Sequence, residues 1–496
     1  METKLYKKFI TLLLAAIITI PVIAQDKTDS IDIFLKDKML KQQIPGMQVA
    51  VIQQGKIVKL SSYGLASIEH NITATNESVF SVNSITKAFV GVAIMQLSEE
   101  GKLNVNDPIS KYIDSIPENW RAITLKQILS NTSGLPNIID EEENVLGNGI
   151  ENEAWRIVKT LQTEFKPGEK FSYNQTGYVI LGKIINKLSG IHFTKFIEER
   201  QFIVAGMKQT QFGDGRDVIP HYAGAYRKTR IENGIWIRNK GYNNAFINFP
   251  VFFRTASGIL STANEMAKWI IALQSGRLLK QKQSIETMWT AAILNNGKVG
   301  GFNSLTNGYA LGWPTVTRAE HPALGPVGGG RSALFVYPKD DLTVIILTNL
   351  MGANPEYLID EVASYYLPDM HESNGFGLPA AVKKLRTQLI KNGFDKASVV
   401  FSTLKKKDPG FTLLEYDLNS WAYKLLEQNK KAEAIAIFQL NVKLYPQSAN
   451  TYDSLAEILE ITDDKQGALK NYKRSLELNP KNTNAAARIK ELNNIR

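Results

Sequence analysis

Two stretches near opposite ends of one region constrain this chain most. "GMQVAVIQQGKIVKLSSYG" (46–64) and "RSALFVYPKDDLTVIILTN" (331–349) share one design. Each reads as two strands around a turn, at Gln54-Gly55 in the first and Pro338-Lys339-Asp340-Asp341 in the second. Helical patterns fill much of the space between, as in "AFVGVAIMQLSEEGKL" and "NEMAKWIIALQSGRLL". Strands, then helices, then strands again predict an α+β domain over residues 25–370. Its antiparallel sheet is drawn from both ends of the domain, with helices packed on it.

Beyond residue 370 the pattern changes. "HESNGFGLP" (371–379) is polar, rich in glycine and closed by Pro379, the signature of a linker. Residues 380–496 read as helical and repetitive. Ala434, Phe438 and Pro446 are spaced by four and eight, and Ala468, Tyr472 and Pro480 keep that spacing 34 residues later. Ala397, Phe401 and Pro409 keep it too, 37 residues before the first set. The pattern resembles tetratricopeptide repeats, with units at about 415–448 and 449–482 and a degenerate first unit at 380–410; an ordinary helical bundle is the other reading. Such stacks bury a core once about three units are present.

With 496 residues, two or more domains are expected. A hydrophobic share of 44% and a charged share of 21% place the chain among globular proteins. Lys4, Lys7 and Lys8 precede the apolar run "FITLLLAAIITIPVIA", which ends in a small residue, Ala24, before Gln25. The run is shorter than the ~20 residues of a spanning helix. This predicts a signal peptide at 1–24 and an exported, periplasmic or secreted protein without a stable membrane span. There is no cysteine, which excludes disulfides, thiol catalysis, Cys-ligated metals and a lipoprotein anchor. The five histidines, His70, His192, His221, His321 and His371, form no metal-ligand pair, and no G-x-S-x-G elbow is present. No metal or cofactor is expected. Of the net charge of +10, residues 371–496 supply +6, from 20 Lys/Arg against 14 Asp/Glu. A solvated basic helical surface accounts for that better than a nucleic-acid site.

The tetrad Ser84-Ile85-Thr86-Lys87 sets a serine three residues before a lysine, and Ser402-Thr403-Leu404-Lys405 repeats the spacing. The second copy follows Phe401 on a repeat helix, and its lysine opens the basic run 405–407 at a helix end, where cations suit the dipole. It is incidental. After Ser84 the chain reads "KAFVGVAIMQL", apolar on nearly all faces, so that helix is expected to be buried. Ser84 would begin it. Lys87, at the edge of an apolar interior, would be biased toward the neutral amine that can take a serine proton. Taken alone, the tetrad fits an N-cap serine followed by a snorkelling lysine better, since both residues are common and chance matches are expected.

The wider context resembles the serine β-lactamase and penicillin-binding-protein superfamily, in its class C-like and esterase-like branch. The resemblance spans roughly residues 35–370: "IPGMQVAVIQQGKIV", "FSVNSITKAFVG", "ILSNTSGLP", "PGEKFSYNQTGYVILG", "GILSTANEMAKWIIAL", "YALGW" and "YPKDDLTVIILTNL", in the family's order. It implies a serine β-lactamase-like fold, an antiparallel sheet flanked by helices plus a helical region, followed here by the all-α repeat region.

The resemblance also implies a site. Ser84 would be the nucleophile and Lys87 its base. Tyr173, in "FSYNQTGY", would relay the proton, its pKa lowered by the neighbouring cation. Gln175 stands where the family has asparagine, keeping the carboxamide with one more methylene. The third motif, normally Lys-Thr-Gly or His-x-Gly, aligns on Pro326-Val327-Gly328, so its cation is missing; His321 is five residues too early. The oxyanion hole would use the backbone N–H groups of Ser84 and Gly329. Arg331 is a candidate to hold a substrate carboxylate or supply positive charge. The substrate rim is expected at 213–253. The function so implied is an exported serine hydrolase acting through an acyl-enzyme on an ester, a D-alanyl peptide or a β-lactam, with esterase or peptidase activity ahead of β-lactamase activity. The competing reading is a binding protein on a hydrolase fold, with the repeats as its surface for a protein or peptide.

Overall fold

A computed structural model describes residues 22–140, 144–232, 235–245 and 248–494. The expected signal at 1–24 therefore lies, up to residue 21, outside the described residues. The chain divides into two compact units, Met1–Tyr366 and Leu367–Arg496.

The first unit is built on a nine-stranded sheet. Its strands are β1 (Gly46–Gln53), β2 (Lys56–Ser67), β3 (Ile72–Thr73), β9 (Gly308–Tyr309), β10 (Pro314–Val316), β11 (Ala323–Leu324), β12 (Val327–Gly328), β13 (Ser332–Tyr337) and β14 (Leu342–Thr348). The remaining strands are β4 (Phe80–Asn83), β5 (Gln211–Phe212), β6 (Tyr226–Glu232), β7 (Ile235–Asn244) and β8 (Ile259–Ser261). The order in the large sheet is β3-β2-β1-β14-β13-β11-β10-β9, with β12 paired to β13. β1 and β14 run antiparallel, from Met47 opposite Thr348 to Gln53 opposite Leu342. The two ends of the domain thus meet in the middle of the sheet, as the sequence predicts. The first hairpin turns at Gln54 (φ 52°) and Gly55 (φ 68°), two consecutive left-handed residues whose twist matches the strands they join.

β13 and β14 are buried along their whole length, and β1 along all but its last residue. That burial on both faces explains why "VAVI", "ALFV" and "VIIL" are continuous apolar runs and not alternating ones. The helices of this unit used below are α1 (Val22–Gln42), α2 (Thr86–Glu99), α3 (Thr176–Ser189), α4 (Ala263–Gln274) and α5 (Glu356–Ser364). α4 packs on β1, β2 and β14, and α5 on β13 and β14. α2 is buried continuously from Thr86 to Leu97, as its all-round apolar pattern requires. It passes so close to the Leu311 carbonyl that a Cβ on Gly91 would overlap that oxygen.

The second unit is helical: α6 (Ala380–Asn392), α7 (Ala397–Lys407), α8 (Glu415–Glu427), α9 (Lys431–Leu444), α10 (Ala449–Ile461), α11 (Lys465–Leu478) and α12 (Thr483–Asn494). Helix starts recur every 34 residues, at 415, 449 and 483 on one set and at 397, 431 and 465 on the other. The small-plus-aromatic pairs lie in this unit's own core: Ala434 and Phe438, and Ala468 and Tyr472, are buried. The stretch 371–379 falls inside this unit, where short 3₁₀ turns at Pro368–Met370 and Glu372–Asn374 precede α6. Ser402 is exposed and its hydroxyl donates to the Ser398 carbonyl at 2.9 Å, while Lys405 Nζ donates to the Pro409 carbonyl at 2.7 Å. Those two side chains serve their own helix and not each other.

Candidate active site

Ser84 occupies the turn between β4 and α2 and is half-buried. The Lys87 N–H donates to the Ser84 carbonyl at 3.0 Å, which fixes the first turn. Thr86 Oγ1 accepts from the Ile259 N–H at 3.1 Å and ties the start of α2 to β8. Lys87, one turn on, is 1% exposed. Its Nζ donates to the Ala256 carbonyl at 2.6 Å and stands 4.7 Å and 5.0 Å from the ring centroids of Tyr173 and Tyr178. Loss of water holds its pKa well below the ordinary 10.5. This is the buried, neutral-biased amine of the first reading, not a snorkelling lysine.

Tyr173 reaches the same place from the segment before α3. The loop 130–137 holds it there. The Ser172 N–H donates to the Asn131 carbonyl at 3.0 Å and the Asn174 N–H to Asn131 Oδ1 at 3.0 Å. Asn174 Nδ2 donates to the Leu135 carbonyl at 2.7 Å, and the Gln175 N–H to Asn137 Oδ1 at 3.1 Å. The "SNTSGLPN" stretch therefore acts as the post on which "SYNQ" hangs. Asn131 and Asn137 were not singled out from sequence; the only signal for them was the family resemblance of that stretch.

The Ser84 and Gln175 side chains lie near the Tyr173 phenol and pull its pKa down, but burial outweighs them. Its pKa is raised by burial, which corrects the expected lowering. The reason is physical. Burial also lowers the pKa of Lys87, and burial outweighs every other influence on the Tyr173 phenol. Burial biases both groups toward their neutral forms.

The substrate-facing parts are partly as expected. Gln175 is 9% exposed, and its Oε1 meets no protein donor among the described residues. An aromatic wall flanks Tyr173: the Phe302 ring lies 4.9 Å and the Tyr309 ring 6.3 Å from its ring. Phe302 is 39% exposed. Parts of the expected rim, 233–234 and 246–247, lie outside the described residues.

Gly329 sits in a turn with φ 54°, and a Cβ there would lie 2.6 Å from Asn83 Nδ2. A Cβ on Gly328 would overlap the Val82 carbonyl. Only glycines let this turn come so close to the residue preceding Ser84. Among the described residues, neither the Ser84 nor the Gly329 amide N–H meets a protein acceptor, so both remain available to an oxyanion. Pro326 brings no side-chain donor, and its carbonyl accepts from the Leu334 N–H at 2.9 Å. His321 stands beside Asp340, Nδ1 to Oδ2 2.9 Å, and does not take its place.

Arg331 is placed differently from expectation. It is 2% exposed, and its guanidinium Nη2 donates to Asn83 Oδ1 at 3.1 Å. A side chain so covered does not meet a substrate carboxylate arriving from solvent. A cavity of about 1050 Å³ also exists in this unit, between α1 and β2, lined by Asp32, Lys36, Tyr63 and Tyr242 among others. It contains none of these site residues.

Comparison with known proteins agrees with this fold. The chain is 26% identical to Protein flp of Staphylococcus aureus (strain MRSA252) over 399 residues, covering 79% of this chain and 72% of that one. The octameric penicillin-binding protein homologue from Pyrococcus abyssi superposes with a TM-score of 0.60 at 24% identity, over 72% of this chain and 81% of that one. The D-amino acid amidase from Ochrobactrum anthropi SV3 superposes with a TM-score of 0.59 at 21% identity, over 70% of this chain and 99% of that one. The profile of the Beta-lactamase family matches residues 31–365, more than half of the chain. This chain belongs to the Beta-lactamase family of serine hydrolases.

Proposed function

We propose that the chain is an exported serine hydrolase that opens esters or amides through an acyl-enzyme on Ser84. The observation that carries this is the convergence of Ser84, a buried Lys87 and the Tyr173 phenol at one turn. Lys87, biased toward the neutral amine, takes the Ser84 proton as Oγ attacks the substrate carbonyl. The Ser84 and Gly329 N–H groups hold the tetrahedral oxygen. Tyr173, a neutral phenol, relays that proton: it donates to the leaving group as it takes the proton held by Lys87, and in deacylation the proton given up by water returns by the same path to Ser84 Oγ. Gln175 Oε1 takes an N–H donor of the substrate.

With Pro326 carrying no charged side chain, small esters, D-amino-acid amides and D-alanyl peptides fit better than β-lactams bound through a carboxylate. The amidase and penicillin-binding-protein relatives support that substrate range. The positive start and apolar run at 1–24 support export. The 34-residue recurrence of helix starts supports tetratricopeptide repeats in the tail, with a protein or peptide as their ligand.

A fluorophosphonate and a fluorescent penicillin probe test the reading. Labelling of the wild type that disappears in Ser84→Ala supports it. A folded wild type that no acylating probe labels would leave the binding-protein reading, with the repeats as its working surface.

A further inference from the structure

The least economical group near the nucleophile is Arg331. It is stripped of water, its Nε meets no acceptor, and the ionisable groups that bear on it are the Tyr222 phenol and the Arg227 guanidinium. No carboxylate among the described residues pairs with it. A buried guanidinium in that state is costly and is kept for a reason other than stability. The reason lies in what it touches.

Its Nη2 donates to Asn83 Oδ1 at 3.1 Å, and the Ser81 hydroxyl donates to the same oxygen at 2.8 Å. Asn83 is left-handed (φ 48°) and immediately precedes Ser84. Its amide nitrogen faces the other turn, 3.5 Å from the Gly328 carbonyl and against Gly329. Arg331 closes that same turn, since its N–H donates to the Gly328 carbonyl at 2.9 Å. The carbonyl of Arg331 accepts from both the N–H (2.8 Å) and the hydroxyl (3.0 Å) of Thr348 on β14. One residue is thus anchored to the central sheet and clamps together the two turns that carry the two oxyanion N–H groups.

We propose that Arg331 is the positioning residue of the oxyanion site, acting through Asn83. It fixes the Ser84 turn against the Gly328–Gly330 turn, and its charge, in a poorly screened interior, favours the negative oxygen that develops between them. The proposal rests on Ser84 being the nucleophile. It adds that the positive charge serving the transition state comes from behind the nucleophile and not from the cleft.

Initial and saturating rates on p-nitrophenyl butyrate, with fluorophosphonate labelling rates and thermal melting, test this on the full chain. Arg331→Met is expected to lower kcat at least tenfold with KM within twofold, and Arg331→Lys to recover part of kcat by restoring charge. Asn83→Gly keeps the backbone conformation and removes the amide, and is expected to lower kcat similarly. The double variant Asn83→Gly/Arg331→Met should lose no more than the worse single one, because the two act as one unit. Unchanged kcat in Arg331→Met, a loss confined to KM, or additive losses in the double variant would overturn the proposal. If Arg331→Met does not fold, Arg331→Lys and Asn83→Gly decide: kcat equal to wild type in both overturns it. A wild type that neither turns over the ester nor reacts with the probe sinks the hydrolase reading itself, a distinct outcome.

Discussion

Lys87 Nζ stands 4.7 Å from the centroid of the Tyr173 ring and donates to the Ala256 carbonyl at 2.6 Å. The Lys87 amine is thus held between an aromatic face and a backbone oxygen, one turn after Ser84. The same burial that places it lowers its pKa, so position and acid–base character have one cause.

Removing the nucleophile should separate binding from chemistry. Ser84→Ala is expected to abolish covalent labelling and lower kcat by about 10³-fold or more, with thermal stability within about 0.5 kcal/mol of wild type. Retained labelling would move the nucleophile elsewhere.

The pH–rate profile should show one limb. Lys87 acts as base only when neutral, and its pKa lies well below 10.5, so kcat/KM should rise with pH on the acid side and level off before alkaline pH. Tyr173 acts as a neutral phenol, and burial lifts its pKa above the ordinary 10. No falling limb is therefore expected below pH 10. A bell with a descending arm near pH 8 would contradict this assignment.

Stability should carry a second signature of the same lysine. Its folded pKa lies below its unfolded value, so between those two values the unfolded chain binds the extra proton. Stability then rises with pH until about 10.5, the ordinary lysine value. Lys87→Met is expected to inactivate the protein, flatten that rise, and stabilise the fold at pH 7 by about 1 kcal/mol or more. Urea melts of both proteins at pH 7 and pH 9.5 measure the difference.

Much of this architecture was legible in the sequence, for reasons visible in particular residues. Strands buried on both faces announce themselves as apolar runs, which is why β1, β13 and β14 were readable. Ser84 and Lys87 were placed one turn apart by their spacing, but the family resemblance, not the spacing, singled them out over Ser402 and Lys405 as a site. Tyr173 came from family resemblance, since nothing local links residue 84 to residue 173. The direction of its pKa was missed because it depends on how far water is excluded, a property of the assembled interior. Arg331 was misplaced for a similar reason. Its burial and its bond to Asn83 join positions 248 apart in sequence, through a left-handed backbone that no composition reveals.

Phe302 should govern discrimination between substrates. It is 39% exposed and lies against the ring of Tyr173. Phe302→Ala is expected to lower kcat/KM for aryl-bearing esters by about 5- to 20-fold while leaving short aliphatic esters within twofold, the range of one lost aromatic contact. Equal losses on both classes would assign Phe302 a structural duty instead.

The helical unit should melt on its own terms. Ala434 has no exposed surface, and its neighbours belong to that unit's separate core. Ala434→Leu is expected to destabilise the helical unit by about 1–3 kcal/mol, with ester turnover unchanged. A parallel fall in kcat would show that the tail supports catalysis.

The pairing of β1 with β14 has a consequence for how the protein is made. Met47 and Thr348 are opposite one another in the sheet yet 301 residues apart along the chain. A ribosome must therefore deliver nearly the whole catalytic unit before its middle strand finds one of its two neighbours. Contacts of such separation form slowly. Until then β1 offers one open hydrogen-bonding edge, the kind that invites association with other chains. A truncation before Leu342 would leave that edge of β1 permanently open, and so yields aggregation and not a smaller domain.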